Sequence, residues 1–292
     1  MTKQMIVIVG MIFIFPFMII FPAVIQGSSL SFDVKLYGGL NYLSGGDLNT
    51  GLKGFHDYEG EYFCFFGLAH TGGEYNPVHW GLDFGGDFIL RITPALGVGV
   101  GAGYIQGTND SAITYGPVAA GMTSSAELSA VPLRLSVFYT LTASNAIRFN
   151  GYAGLGYYLA KASFDFRPYS PGDWVLYRLD ADGGGLGFHG GLGIELKVSP
   201  AIAFFLEGQG RYASLGGFEG TASISGSGGS STSATGTVYS FTMIQGLLGN
   251  FPGIFIFSTT PSGPSFINVS EAKIDFSGFS LIAGIIFRFG AK

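Results

Sequence analysis

Eight stretches of the chain alternate apolar and polar or small side chains with a period of two: residues 32–42, 78–92, 96–104, 131–141, 147–159, 186–198, 202–212 and 279–289. A period of two is the signature of a strand with two unlike faces. In 131–141, for example, Val131, Leu133, Leu135, Val137, Tyr139 and Leu141 share one face, and Arg134 and Ser136 lie on the other. In 96–104 the second face is all glycine: Gly97, Gly99, Gly101 and Gly103. These strands are longer than the usual ~5–6 residues of globular sheets and suit tilted membrane-spanning strands of about 9–11.

The connections alternate too. Three are short and alike, at 92–96, 142–146 and 198–202, and each carries Ser or Thr followed two residues later by Ala. Four are long, at about 44–77, 107–128, 161–185 and 214–277. Lipid offers backbone groups no hydrogen-bond partners, so a sheet within it must close on itself. The pattern therefore predicts an all-β fold: a closed antiparallel up-and-down transmembrane β-barrel of eight strands, with ten left open, short periplasmic turns and long extracellular loops. The alternative is a secreted β-sandwich, which would need a polar outer face.

Composition sharpens this. Of 292 residues, 47% are apolar and 11% charged, with 49 glycines and a net charge of −5. A typical soluble domain is about 25% charged. The acidic balance argues against nucleic-acid binding. Cys64, the one cysteine, excludes a disulfide framework; it is expected to be a buried loop thiol. Residues 1–27 read as a secretory signal peptide: Lys3, then a long apolar run ending at Gln26-Gly27-Ser28-Ser29. Residues 28–292 are then one barrel domain.

Several segments resemble the small eight-stranded outer-membrane barrels, the group of OmpX, OmpW and the OmpA membrane domain. They are Val131-Pro132-Leu133-Arg134-Leu135, Tyr152-Ala153-Gly154-Leu155-Gly156-Tyr157-Tyr158, Phe205-Leu206-Glu207-Gly208-Gln209-Gly210-Arg211-Tyr212, and the closing stretch 277–289. The resemblance implies residence in the bacterial outer membrane, contact with outer-membrane lipid and lipopolysaccharide, and insertion by the barrel-assembly machinery. In such proteins the last strand usually ends in an aromatic residue. Here Phe289 is followed by Gly290-Ala291-Lys292.

The inward faces collect Asp33, Asp83, Asp87, Glu195 and Glu207 with Lys35, Arg91, Arg134, Arg148, Lys197, Arg211 and Arg288. Enclosed charges must pair, because isolated burial is costly. Lys35, Asp87, Arg134 and Glu207 are expected at mid-depth, with Asp83 and Arg211 one layer higher. This network is a structural core or the gate of a narrow path; an eight-stranded barrel has no room for a wide pore. The lumenal glycines are expected to make space for Tyr37, Phe138, Tyr152, Tyr158 and Phe205.

The long connections hold most of the chain's 19 acidic residues and are expected to form a solvated acidic rim. In the last one, 220–236 is rich in Ser, Thr and Gly and reads as an exposed ribbon, whereas 238–257 is apolar. Met243, Leu247, Leu248, Phe251, Phe255 and Phe257 could cap the mouth, touch the outer leaflet or add a hairpin to the barrel. A capped apolar mouth would suit passage of a small hydrophobic solute. No residue set points to catalysis, a metal or a cofactor: the His-x-Ser pair of lipid A deacylases is missing, since Tyr58, Gly72, Gly81 and Gly191 follow the four histidines at that spacing. The sequence reading is a narrow conduit, with a plugged barrel acting through its loops as the alternative.

Overall fold

The computed structural model describes residues 31–290. In chain order the elements are β1 (Ser31–Leu43), α1 (Asp47–Phe65), β2 (Ala69–Gly72), β3 (Trp80–Arg91), β4 (Leu96–Gly116), β5 (Ala120–Thr142), β6 (Ile147–Ser170), β7 (Asp173–Lys197), β8 (Ile202–Tyr212), β9 (Ser214–Leu215), β10 (Glu219–Gly226), β11 (Ser231–Ile244), β12 (Asn250–Phe257), β13 (Phe266–Glu271), β14 (Ile274–Asp275) and β15 (Gly278–Phe289). The signal-peptide expectation for 1–27 lies outside the described residues.

Eight strands form an antiparallel ring. β1 pairs with β3, and the ladder runs on through β4, β5, β6, β7 and β8 to β15, which pairs back onto β1. The register of β1 against β15 matches Phe32 with Phe289 and Leu43 with Gly278. The three short connections are one turn used three times. Thr93, Ser144 and Ser199 each accept, on the side-chain oxygen, the backbone N–H three residues on, at 2.9, 3.1 and 3.1 Å. Short polar side chains stabilise turns in this way.

Two of the four long connections are not loops. β4 and β5 stay paired out to Tyr115 and Ala120, and β6 and β7 out to Ser170 and Asp173. The stretches 107–128 and 161–185 are therefore hairpins continuing the ring strands, and the alternation persists in them with its polarity reversed. On β6 the outward residues Phe149, Leu155 and Tyr157 give way to Lys161, Ser163, Asp165 and Arg167, while Ala160, Ala162, Phe164 and Phe166 are buried inside. An apolar outer face followed by a polar one reads as strand then loop if only the outer face is watched.

Below this switch the outer surface is an apolar belt. Leu36, Leu82, Val100, Leu135, Leu155, Leu192 and Leu206 are all exposed on it. On β5 the belt spans 131–141, roughly 35 Å of strand at ~3.3 Å per residue; tilted by about 40°, that matches the ~25 Å band of membrane barrels. Aromatic clusters mark both ends of β1. Phe32 stacks on Phe88 and Phe289 at 5.2 and 4.8 Å, and Tyr42 on His79 and Phe279 at 4.8 and 5.3 Å.

Above the switch the sheet opens into a head. Its strands run in the order β2, β4, β5, β6, β7, β10, β11, β12, with β13 pairing the second half of β11 on the edge opposite β12. The expected acidic first loop is in fact mostly α1, which lies inside this sheet with Leu48, Leu52, His56 and Phe63 buried. β12 packs closely on it because Gly51 and Gly54 present no side chains: a Cβ at either would clash with Ile254 or with the Pro252 carbonyl. The Ser/Thr-rich ribbon is β10 with the first half of β11, in register from Glu219 with Thr237 to Ser225 with Ser231. The apolar segment is the β11–β12 hairpin, which adds to the head and leaves the ring at eight strands.

Candidate functional site

The ring encloses charge in three tiers. Nearest the short turns, side chains from six strands close a circuit of hydrogen bonds and one longer ion pair. Arg91 donates to Asp33 (2.8 Å) and to the Thr140 hydroxyl (2.9 Å). Thr140 donates to Asn150 (2.8 Å), and Asn150 donates to Glu195 (3.1 Å). Arg288 donates to Glu195 and lies 3.9 Å from Asp33, which completes the circuit, with Arg148 3.9 Å from Glu195. Charge-assisted bonds of this kind are about twice as strong as neutral ones.

In the middle tier Lys35 bonds Glu207 at 2.7 Å and Arg134 bonds Asp87 at 3.0 Å. The Lys35 ammonium also sits 4.5 Å from the Phe205 ring centroid and 4.9 Å from that of Tyr152, and the Arg134 guanidinium 5.2 Å from Tyr37. Several lumenal rings lie where glycine leaves space. A Cβ at Gly191 would be 2.7 Å from Tyr152, at Gly99 2.8 Å from Phe138, and at Gly187 2.8 Å from Tyr158. In the upper tier Arg211 donates to Ser280 (2.8 Å), to the Phe276 carbonyl (2.8 Å) and to Asn41, while Ser280 donates to Asp83 (2.7 Å). Arg211 and Asp83 are 3.6 Å apart. The six lumenal residues singled out in the sequence thus form three ion pairs. Lys197 stands apart, partly exposed near the short turns.

The apolar segment is split. Phe251 is buried against α1, with its ring 5.7 Å from Tyr58. Phe255 and Phe257 are half-buried; Phe255 meets Tyr177, and Phe257 meets Phe241 and Phe266. Met243 and Leu248 are half-buried, but Leu247 is 95% exposed and caps nothing. Cys64 is exposed on the last turn of α1, contrary to the buried thiol expected, because the first long connection is a helix with an outer face.

No family model matches the chain, and no curated protein matches it in sequence. Solved structures do. The outer membrane protein OprG from Pseudomonas aeruginosa is 14% identical, with a TM-score of 0.34, over 89% of this chain and 95% of that one. The outer membrane protease OmpT from Escherichia coli is 9% identical, with a TM-score of 0.41, over 89% and 96%. A major outer membrane protein from Thermus thermophilus is 14% identical, with a TM-score of 0.38, over 90% and 100%. No residue role passes from these proteins to this chain.

Two Ser–His contacts were not visible in the sequence, because strand pairing and α1 docking bring them together over long separations. His56 Nε2 lies 2.8 Å from Ser124 Oγ, and His189 Nε2 lies 2.8 Å from Ser136 Oγ. Both are buried, and neither Nδ1 meets a carboxylate among the described residues. Each is a buried Ser–His hydrogen bond with no third, orienting group on Nδ1 among the described residues. His79 Nδ1 bonds the Leu43 carbonyl at 2.7 Å. Burial lowers the His56 pKa to about 4, so it is neutral at pH 7. Burial raises that of Glu59, also on α1, to about 7.

Proposed function

We propose that the chain is an integral outer-membrane β-barrel protein whose lumen is closed and whose work is done by the folded head it holds above the lipopolysaccharide surface. Three tiers of mutually bonded charges with aromatic rings between them carry this reading. Opening such a lumen would break buried pairs, each worth about 3–5 kcal/mol when one partner is removed. The belt and its aromatic ends support the membrane placement. Against the apolar route expected of 238–257 stands the packing of Phe251 on α1.

A narrow ion path is the second reading, and one observation favours it. Tyr37 Oη, Asp83 Oδ1, Arg134 Nε, Glu207 Oε1, Gln209 Oε1 and His189 Nδ1 are buried without a partner among the described residues. Such atoms could line a water-filled thread. Single-channel recording of the refolded mature chain in a planar bilayer separates the two. A silent bilayer with protein that shows a heat-sensitive gel shift fits the closed lumen. Discrete steps that change in Glu207→Gln would replace it with the gated path.

A further inference from the structure

We propose that the cleft at the tip of the β6–β7 hairpin binds the pyranose ring of a glycan. The cleft measures about 520 Å³, within the ~300–1,000 Å³ of small-molecule sites. Thr123, Arg167, Tyr169, Asp173, Trp174 and Ser227 line it. Strand register assembles it: Thr123 pairs with Arg167 and Tyr169 with Trp174. Gly121 lets the Tyr169 phenol lie across β5, where a Cβ would come within 2.8 Å of its hydroxyl. The β10–β11 turn is drawn in by the Ser227 N–H, which donates to the Trp174 carbonyl at 3.0 Å.

Arg167 makes the cleft more than a stapled hairpin. On the same outer face Lys161 and Arg178 are spent on Asp180 and Asp165, at 2.9 and 2.7 Å. Arg167 is exposed and makes no ion pair among the described residues; its guanidinium lies 4.8 Å from the Trp174 ring centroid. Its donors, in a rigid fork, are left to the cleft beside Asp173, which accepts a hydrogen bond from Ser227. Two aromatic rings next to a planar donor fork and a carboxylate match a sugar ring: C–H faces pack on aromatic surface, and neighbouring hydroxyls bridge donor and acceptor. From Tyr157 to Tyr169, β6 runs roughly 40 Å at ~3.3 Å per residue. The cleft therefore stands well clear of lipid headgroups, within reach of the polysaccharide part of lipopolysaccharide or of a glycan from outside.

The proposal rests on the head facing outward from a membrane-inserted barrel. The test uses the refolded mature chain carrying Trp80→Phe, so that Trp174, one of two tryptophans in the chain, is the sole indole. A heat-sensitive gel shift first establishes folding in lipid. Emission is then followed against neutral oligosaccharides, acidic oligosaccharides and lipopolysaccharide polysaccharide freed of lipid A. The expected result is a saturable change with at least one of the three, weakened tenfold or more in Arg167→Ala and unchanged in Lys161→Ala. Saturation by the polysaccharide alone names the cell's own surface as source; saturation by the others names an external glycan. A folded chain that responds to none, or whose Arg167→Ala variant binds as tightly, overturns the proposal alone. A chain that never shows the gel shift overturns the membrane reading as well. Calorimetry on Arg167→Lys and Trp174→Phe repeats the comparison with side chains close in shape.

Discussion

The ring and the head are built from the same strands but are inside out relative to each other. In the ring, β6 and β7 face outward with Leu155, Tyr157, Leu186 and Phe188 and inward with Asn150, His189 and Glu195. In the head, the same strands face outward with Lys161, Asp165, Arg178 and Asp180 and inward with Ala162, Phe164, Leu179 and Ala181. No register shift separates the halves, since the pairing from Ile147 with Leu196 to Phe166 with Tyr177 has no break. What changes is the medium outside. Against lipid, apolar side chains belong outside, and the polar ones turn inward and must pair. Against water the order reverses, and an apolar core forms around α1.

The largest expected effect is in the lumen. Glu195→Ala should strand Arg288, Arg148 and Asn150 and cost about 3–5 kcal/mol, read as a lower urea midpoint of the refolded barrel. If the loss is below about 1 kcal/mol, the turn-side circuit is not what holds the ring.

A charge scan along the outside of β6 comes next. Leu155→Arg should cost about 2–4 kcal/mol, as a charge on the lipid face does near the midplane. Ser163→Arg, on the same face beyond the switch, should change stability by about 0.5 kcal/mol or less. Equal costs at the two sites would erase the distinction between ring and head.

Gly54→Val should disturb the head alone. The new side chain meets the Pro252 carbonyl, and overpacking of this kind costs about 1–3 kcal/mol. The gel shift should persist, while α1 becomes more open to protease. Cys64, already exposed at its end, should react with a thiol reagent in the folded wild type and provides the place for a label.

The smallest effect is a pH dependence confined to the head. Glu59 has its folded-state pKa raised to about 7 by burial, so its contribution to stability is present below its unfolded value near 4.5 and is lost as pH rises to about 7. His56 acts in the opposite direction. With its pKa lowered to about 4, it costs stability as pH falls below about 6.5. Glu59→Gln should therefore stabilise the head at pH 8 by about 1–2 kcal/mol, read as a higher thermal midpoint, and have little effect at pH 4. A gain that is the same at both pH values would show that folding does not shift the Glu59 pKa.

The ring was legible because a strand between lipid and a packed lumen repeats every two residues, and because the three turns share one sequence pattern. That charges on the inward faces would need partners was legible, because isolated burial is costly; which partner each takes was not. The head was not. Residues 107–128 and 161–185 keep the period but swap its faces, and small inner residues such as Ala126, Ala160 and Ala162 hide it further. α1 escaped notice because Gly51, Gly54 and Gly60 look like loop residues. Their use appears only when β12 and Tyr115 are found against them.

By itself the sequence determined what each strand face must meet, since side-chain polarity along a period of two states the medium on either side. It determined the turns for the same local reason. Only the tertiary structure decided which acid answers which base, how α1 and the β11–β12 hairpin fill the head, and that Arg167, Trp174 and Ser227 share a cleft. These depend on register and docking between segments far apart in the chain, and such long-range contacts have no periodic trace in the sequence.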